Sequence, residues 1–210
     1  MIKTLFLSII TVLMSGCALT TDHIDLSYSP QIGVTKIPDA SNIVISVLIN
    51  DQRQGKKNNM VGYKKGGYGT DMGSIIANED VTVTIRRAIE QELQSRGFSI
   101  GNEASISIIV ELVRFWNVHQ VGVSTFSFDS VSDLNMKIRV KNKKEDLLYN
   151  RYIQAEGIEH NNQLATGDNA RASLNNALYK GLKLLFEDQV FVDALLDVRK
   201  RDNNGVVKKQ

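Results

Sequence analysis

The 210-residue chain has one cysteine, two prolines, three histidines and one tryptophan. A single thiol cannot close an internal disulfide. One cysteine with three scattered histidines is also a poor zinc set, because no pair has a spacing such as H-E-x-x-H. No apolar run reaches the roughly 18 residues of a membrane-spanning helix. Excess charge of one sign is missing too: 25 Lys and Arg stand against 23 Asp and Glu, without the basic surplus of a nucleic-acid binder. Neither a G-x-S-x-G elbow nor a G-x-x-x-x-G-K-[ST] phosphate loop occurs. The residues therefore name no catalytic group, no metal and no cofactor, and the expectation is a protein that is not an enzyme. What is present is ordinary globular usage, 42% hydrophobic and 23% charged, enough for a packed core.

The first seventeen residues are informative. Lys3 is the positive n-region, and Leu5 to Met14 is a mostly apolar stretch, too short to span a bilayer and the length of a signal h-region. Ser15-Gly16 then places two small residues before Cys17, the chain's one cysteine. This junction resembles a bacterial lipobox, with Met14 where leucine is preferred. The resemblance implies a diacylglyceryl group on the Cys17 thiol, cleavage after Gly16 and acylation of the new amino terminus. Each buried methylene contributes about 0.8 kcal/mol and a single chain holds only marginally, so three chains on one residue make a lasting anchor. Ala18 follows the cysteine. In lipoproteins of this type aspartate there favours retention in the inner membrane, and alanine favours sorting to the outer membrane.

Cleavage after Gly16 leaves 194 residues with a formal charge of +1, of which the tail 199–210 carries +4. The body is then slightly acidic, and the tail reads as a solvated, disordered end. An exported body of this charge is not expected to bind nucleic acid.

Residues 17–42 hold both prolines and show no sustained period, which suggests a lipidated N-terminus and tether. Residues 43–198 make one domain. Ile43 to Ile49 is β-branched and nearly continuous, as in a strand buried on both faces. Asn50 to Ser74 carries six of the fifteen glycines, four lysines and two tyrosines, the composition of a long loop. Its Lys56, Lys57, Tyr63, Lys64, Lys65 and Tyr68 are the candidate partner-binding residues. Asn78 is positioned to cap a helix with Val81, Ile85, Ala88, Ile89 and Leu93 on one stripe, ended by Gly97. Ser105 to Val113, a long strand from Ser124 to Val140, and Leu147 to Ile158 alternate apolar and polar residues. His119 falls in a connection near Trp116, and His23 and His160 read, like it, as exposed. A helix from Asp168 to Glu187 and a short amphipathic segment at Val190 to Leu196 follow. Strand, helix, three strands, helix and short helix predict an α+β fold, a mostly antiparallel sheet with helices on one face. Asp51 and Arg53, two apart at a strand end, read as a structural ion pair or turn contact.

The lipobox, the triplet Asp51-Gln52-Arg53 after the first strand and the helix end Leu93-Gln94-Ser95-Arg96-Gly97-Phe98 resemble the YajG-type lipoproteins of Gram-negative bacteria. The likeness runs in short blocks from Cys17 to Leu196. It implies an outer-membrane lipoprotein facing the periplasm, an approximate fold and no reaction. The function expected is a structural or protein-interaction role, with the membrane and an envelope protein as partners. The alternative is a periplasmic small-ligand or glycan-binding module that uses the loop 55–73.

If Cys17 carries the lipid, radiolabelled palmitate enters the wild-type protein and not Cys17→Ser. Equal label in both would remove the anchor.

Overall fold

The computed structural model describes residues 20–54, 59–65, 70–121 and 127–196. In chain order its elements are β1 (Asp22–Ile24), a 3-10 turn (Ala40–Asn42), β2 (Val44–Asp51), β3 (Met60–Lys65), β4 (Asp71–Ala77) and α1 (Val81–Ser95). Then come β5 (Ser99–Ile100), β6 (Ile106–Val121), β7 (Phe128–Asn142), β8 (Leu147–Asn162) and α2 (Gly167–Glu187). Residues 189–196 form a last helix, α3.

Three long strands form the frame. β6, β7 and β8 pair antiparallel in sequence order. Alternation explains their length: Leu134, Met136, Ile138 and Val140 of β7 are buried, while Asp133, Asn135, Lys137 and Arg139 between them face the other way. The free edge of β6 takes two strands end to end. β2 pairs parallel with Ile106–Leu112, and β3 pairs parallel with Asn117 and Val118. β4 then lies antiparallel to β3, β1 parallel to β4, and β5 parallel to β2.

Four of these seven pairings are parallel, so the sheet is mixed and the expectation of a mostly antiparallel sheet is corrected. Parallel neighbours need a crossover, and α1 supplies it between β2 and β6. Both long helices lie on one face, α1 over β2 and β5, α2 over β8, β7 and β6. The core between sheet and helices joins Ile45, Ile106, Ile108, Val110 and Leu112 to Val81, Ile85, Ile89 and Leu93 of α1 and to Leu174, Leu178 and Leu182 of α2. Each such side chain contributes about 1.5–3 kcal/mol when fully buried. α3 closes one end, with Phe191 edge-on to Phe186 and Tyr149 at 5.3 Å between ring centroids. β2 is not buried on both faces, since Leu48 is exposed on the side away from the helices.

The cap of α1 is Asp80, whose carboxylate accepts from the Thr82 amide at 2.8 Å. Asn78 instead donates to Asp25 at 2.6 Å. The C-terminus behaves as its sequence indicates: Gly97 has φ +96°, Phe98 N–H reaches Leu93 O and Gly97 N–H reaches Gln94 O. That is the paired bonding of a Schellman end.

Two stretches read as irregular contain ordered elements. Residues 22–42, assigned from sequence to a tether, belong to the domain. β1 pairs with β4, Ile24 and Ala40 are buried, and Tyr28 hydroxyl and Gln31 N–H both donate to the buried Glu92 of α1. Glu92 also pairs with Arg96, so one internal carboxylate gathers three donors and its burial is compensated. The supposed loop of residues 50–74 contains β3 and the start of β4. Gly62 and Gly73 mark close approach rather than irregularity: a Cβ at Gly62 would meet Asn117 O at 2.9 Å, and one at Gly73 would meet Thr20 O at 1.9 Å. The basic tail lies outside the described residues.

Ile89→Ala removes a fully buried side chain and is expected to cost about 2–5 kcal/mol in urea melts. Gln94→Ala, at an exposed position of the same helix, should stay within about 0.5 kcal/mol.

Candidate functional site

Of the site residues singled out in the sequence, Cys17, Ala18, Lys56, Lys57 and Tyr68 lie outside the described residues. The other three are on β3, in a strand rather than a loop. Lys64 points under α2, where its buried ammonium is 2.8 Å from Asp22 Oδ1. The second Asp22 oxygen accepts the Gly167 amide at 2.7 Å, the first N–H of α2, where the helix dipole favours an anion. Lys65 pairs with Asp71 across the β3–β4 hairpin. Tyr63 faces the opposite side and stands edge-on to Trp116 at 5.7 Å.

His119 is on β6 and buried, not in an exposed connection. Burial pushes its imidazole below the ordinary value of 6.5, against contacts with the backbone of Tyr63 and Thr166. Beside it, Asn117 donates to the hydroxyls of Ser130, Ser132 and Ser173 at 2.8–3.0 Å, a polar knot under α2. α2 comes this close because β8 has Gly157 there, where a Cβ would meet Ser173 O at 2.0 Å.

Asp51 and Arg53 form the structural pair that their spacing suggests. The guanidinium grips both carboxylate oxygens, Nε to Oδ1 at 2.9 Å and Nη2 to Oδ2 at 2.7 Å, and Nη1 also donates to Met60 O at 3.1 Å. Burial alone would raise the Asp51 carboxyl, but the hydrogen bonds and charge of Arg53 hold it below the usual carboxylate value.

Among the described residues, the arrangement open to solvent is the sheet face that no helix covers. Strand alternation aims Ser107, Ile109 and Glu111 of β6 outward with Asp133, Asn135, Lys137 and Arg139 of β7 and Tyr152, Gln154 and Glu156 of β8. Glu111 lies between Lys137 and Arg139, Arg114 reaches Asp133 at 2.8 Å, and His160 reaches Asp129 at 3.0 Å. Leu48, Val113 and Tyr152 stand exposed among them. A register shift between Leu112 and Arg114 bulges β6 at Val113. Beside the bulge opens a cavity of about 350 Å³ lined by Gln52, Gln54, Val113, Arg114, Trp116 and Asn135, with Arg53 and Phe115 completing it. A second, shallower hollow of about 550 Å³ shares Arg114 and Asn135 and extends to Gln154 and Glu156. Amides, one guanidinium and a few apolar side chains on a bare sheet offer hydrogen bonding and surface complementarity. Among the described residues no group of three His, Cys, Asp or Glu is placed to hold a metal.

Sequence reasoning did not single out Arg114, Asn135 or Gln154. The alternation of β7 carries the signal for Asn135, and nothing in the sequence marks the bulge that turns Arg114 and Val113 outward.

A two-layer α+β domain with one bare sheet face is the class that this geometry defines. The chain belongs to the family described as uncharacterized lipoprotein (Lipoprotein_16), whose model matches residues 30–195, in keeping with the YajG-type resemblance. Membership implies a membrane-anchored envelope protein, and no described helix is long and apolar enough to cross a membrane. No curated protein matches the chain. Among solved structures, protein XCC0632 from Xanthomonas campestris (DUF330) is similar at a TM-score of 0.56 and 9% identity, covering 82% of this chain and 99% of that one. At that identity the likeness shows the fold alone. A putative neuraminyllactose-binding hemagglutinin homolog from Helicobacter pylori matches at 0.49 and 11% identity, over 85% of this chain and 100% of that one. A minor lipoprotein from Acinetobacter baumannii matches at 0.41 and 8%, over 71% and 91%.

The buried His119 stays neutral where an unfolded imidazole takes up a proton. Stability is therefore fully present above about pH 6.5 and falls as pH drops below it, toward the folded value. In urea melts at pH 7 and pH 5, His119→Gln should lose less of its midpoint between the two than the wild type does. An identical loss would show that His119 titrates freely.

Proposed function

We propose that this is a non-catalytic, lipid-anchored protein of the outer membrane, facing the periplasm, that works by binding another envelope protein on its bare sheet face. The observation that carries the reading is the face itself. Among the described residues no helix covers one whole side of β6, β7 and β8, which bears exposed Leu48, Val113 and Tyr152 beside a charged ladder. Surface aromatic and aliphatic groups rimmed by polar ones are the composition of a recognition patch. The family and the lipobox support the anchor, and Ala18 supports the outer membrane.

The small-ligand alternative loses part of its basis, because Lys64 is occupied by Asp22 and Lys65 by Asp71. A weak, regulated partner fits the face better than a tight, permanent one. Its centre is charged, and charge is depleted at the centres of strong interfaces.

The test places a photo-cross-linking amino acid at Tyr152 or Leu48 in living cells, with exposed Leu184 on α2 as control. A discrete protein adduct is expected from the sheet positions and not from Leu184. With the cross-linker at Leu48, Tyr152→Ala, which removes a largely exposed side chain, should abolish the adduct with little change in melting temperature. No adduct, together with a glycan or small molecule that raises the melting temperature in a manner lost on Lys56→Ala, would replace this reading with the alternative.

A further inference from the structure

The N-terminal segment is held to the domain at several points within a few residues of the anchor. Thr20 O packs against the backbone of Gly73, so closely that a Cβ there would lie 1.9 Å away. Lys64 Nζ reaches Thr20 Oγ1 at 3.5 Å and Asp22 Oδ1 at 2.8 Å. Asp22 also binds the Gly167 amide, and β1 is hydrogen-bonded along β4 from Asp22 onward. Between Cys17 and the seated Thr20 stand only Ala18 and Leu19. Three Cα–Cα steps of about 3.8 Å span at most about 11 Å. The headgroup layer of one leaflet takes roughly 5–8 Å of that, which leaves room for little more than a water layer.

On this basis, which rests on lipidation at Cys17 as proposed above, we infer that the domain has no free tether and sits directly on the lipid surface by one fixed pole. The strand directions identify that pole. The ends of β3, β6 and β8 and the starts of β1, β4, β7 and α2 meet there. Leu164, in the connection from β8 to α2, is 70% exposed at this pole, an apolar contact for the headgroup and acyl boundary. At the opposite pole lie the β7–β8 turn with Lys143 and Lys144 and the starts of β2 and β6. The 15 residues of β7 put the two poles up to roughly 50 Å apart at about 3.4 Å per residue. The bare sheet face then stands upright on the membrane, its strands running away from the lipid.

The test uses full-length lipidated protein in vesicles of phosphatidylethanolamine and phosphatidylglycerol that contain a lipid-borne spin quencher. An environment-sensitive fluorophore is attached to Leu164→Cys or to Lys143→Cys, the Cys17 thiol being blocked by its own lipid. Quenching at Leu164→Cys is expected to exceed that at Lys143→Cys several-fold. An inserted Gly-Ser segment of about ten residues between Leu19 and Thr20, with a mean span of roughly 16–19 Å, should bring the two toward equality. Equal quenching without the insertion, or none at Leu164→Cys in protein that floats with the vesicles, would overturn the inference and leave the lipoprotein reading intact. Protein that does not float would overturn both.

Discussion

Everything else in the molecule hangs on the length of β6. A strand of ordinary length can border one neighbour on each edge, but β6 borders β7 on one edge and β2 and β3 in succession on the other. The first half of β6 therefore borders β2, which α1 covers, and the second half borders β3 and meets α2 through Asn117 and Ser173. The bulge at Val113 falls between these halves, where the neighbour of β6 changes from β2 to β3. The Asp51–Arg53 pair sits at the same seam. Arg53 binds Asp51 at the end of β2, Met60 O at the start of β3 and, more weakly, Phe115 O of β6 at 3.5 Å. One guanidinium thus closes the gap where two strands end and begin, and its burial is compensated by directed acceptors rather than by a single counter-charge.

The helix side divides its polar groups in the same way. Under α1, Glu92 gathers Arg96, Tyr28 and Gln31, and burial together with the Glu92 bond keeps the Tyr28 hydroxyl protonated far above the ordinary tyrosine range. Under α2, Asp22 gathers Lys64 and Gly167, and Asn117 gathers three serines. In each place the N-terminal segment or a long strand brings a polar side chain to a helix and the helix supplies the complement. Such directed contacts specify which helix covers which part of the sheet, something that the interchangeable Ile, Val and Leu of the core do not.

The frame was readable in the sequence wherever a pattern is local. The alternation of β7, the stripe of α1 and the left-handed stop at Gly97 are all decided within a few residues. Elements made by distant partners were not readable. β1 resembles a tether because its three residues acquire a partner only at residues 75–77. β3 and β4 resemble a loop because Gly62 and Gly73, which admit another backbone, have the same letter as glycines that bend a chain. Lys64 looked free because its counter-ion lies 42 residues away. The outward face was half legible, its charged rows visible in β7 and the exposure of Val113 hidden by the bulge. The proposed anchor residues are marked by adjacency alone, a pattern that needs no fold to be read.

The bond between Asp22 and Gly167 joins groups 145 residues apart in sequence. Non-local contacts of this kind must close a large loop before they return any energy, and they form late and slowly. β1 cannot find its complete seat until β4 has paired with β3 and the first turn of α2 has been laid down. The seat of β1 therefore depends on almost the whole length of the chain. Under the lipoprotein reading proposed above, the segment nearest the anchor is also the one whose seat draws on the most distant parts of the sequence.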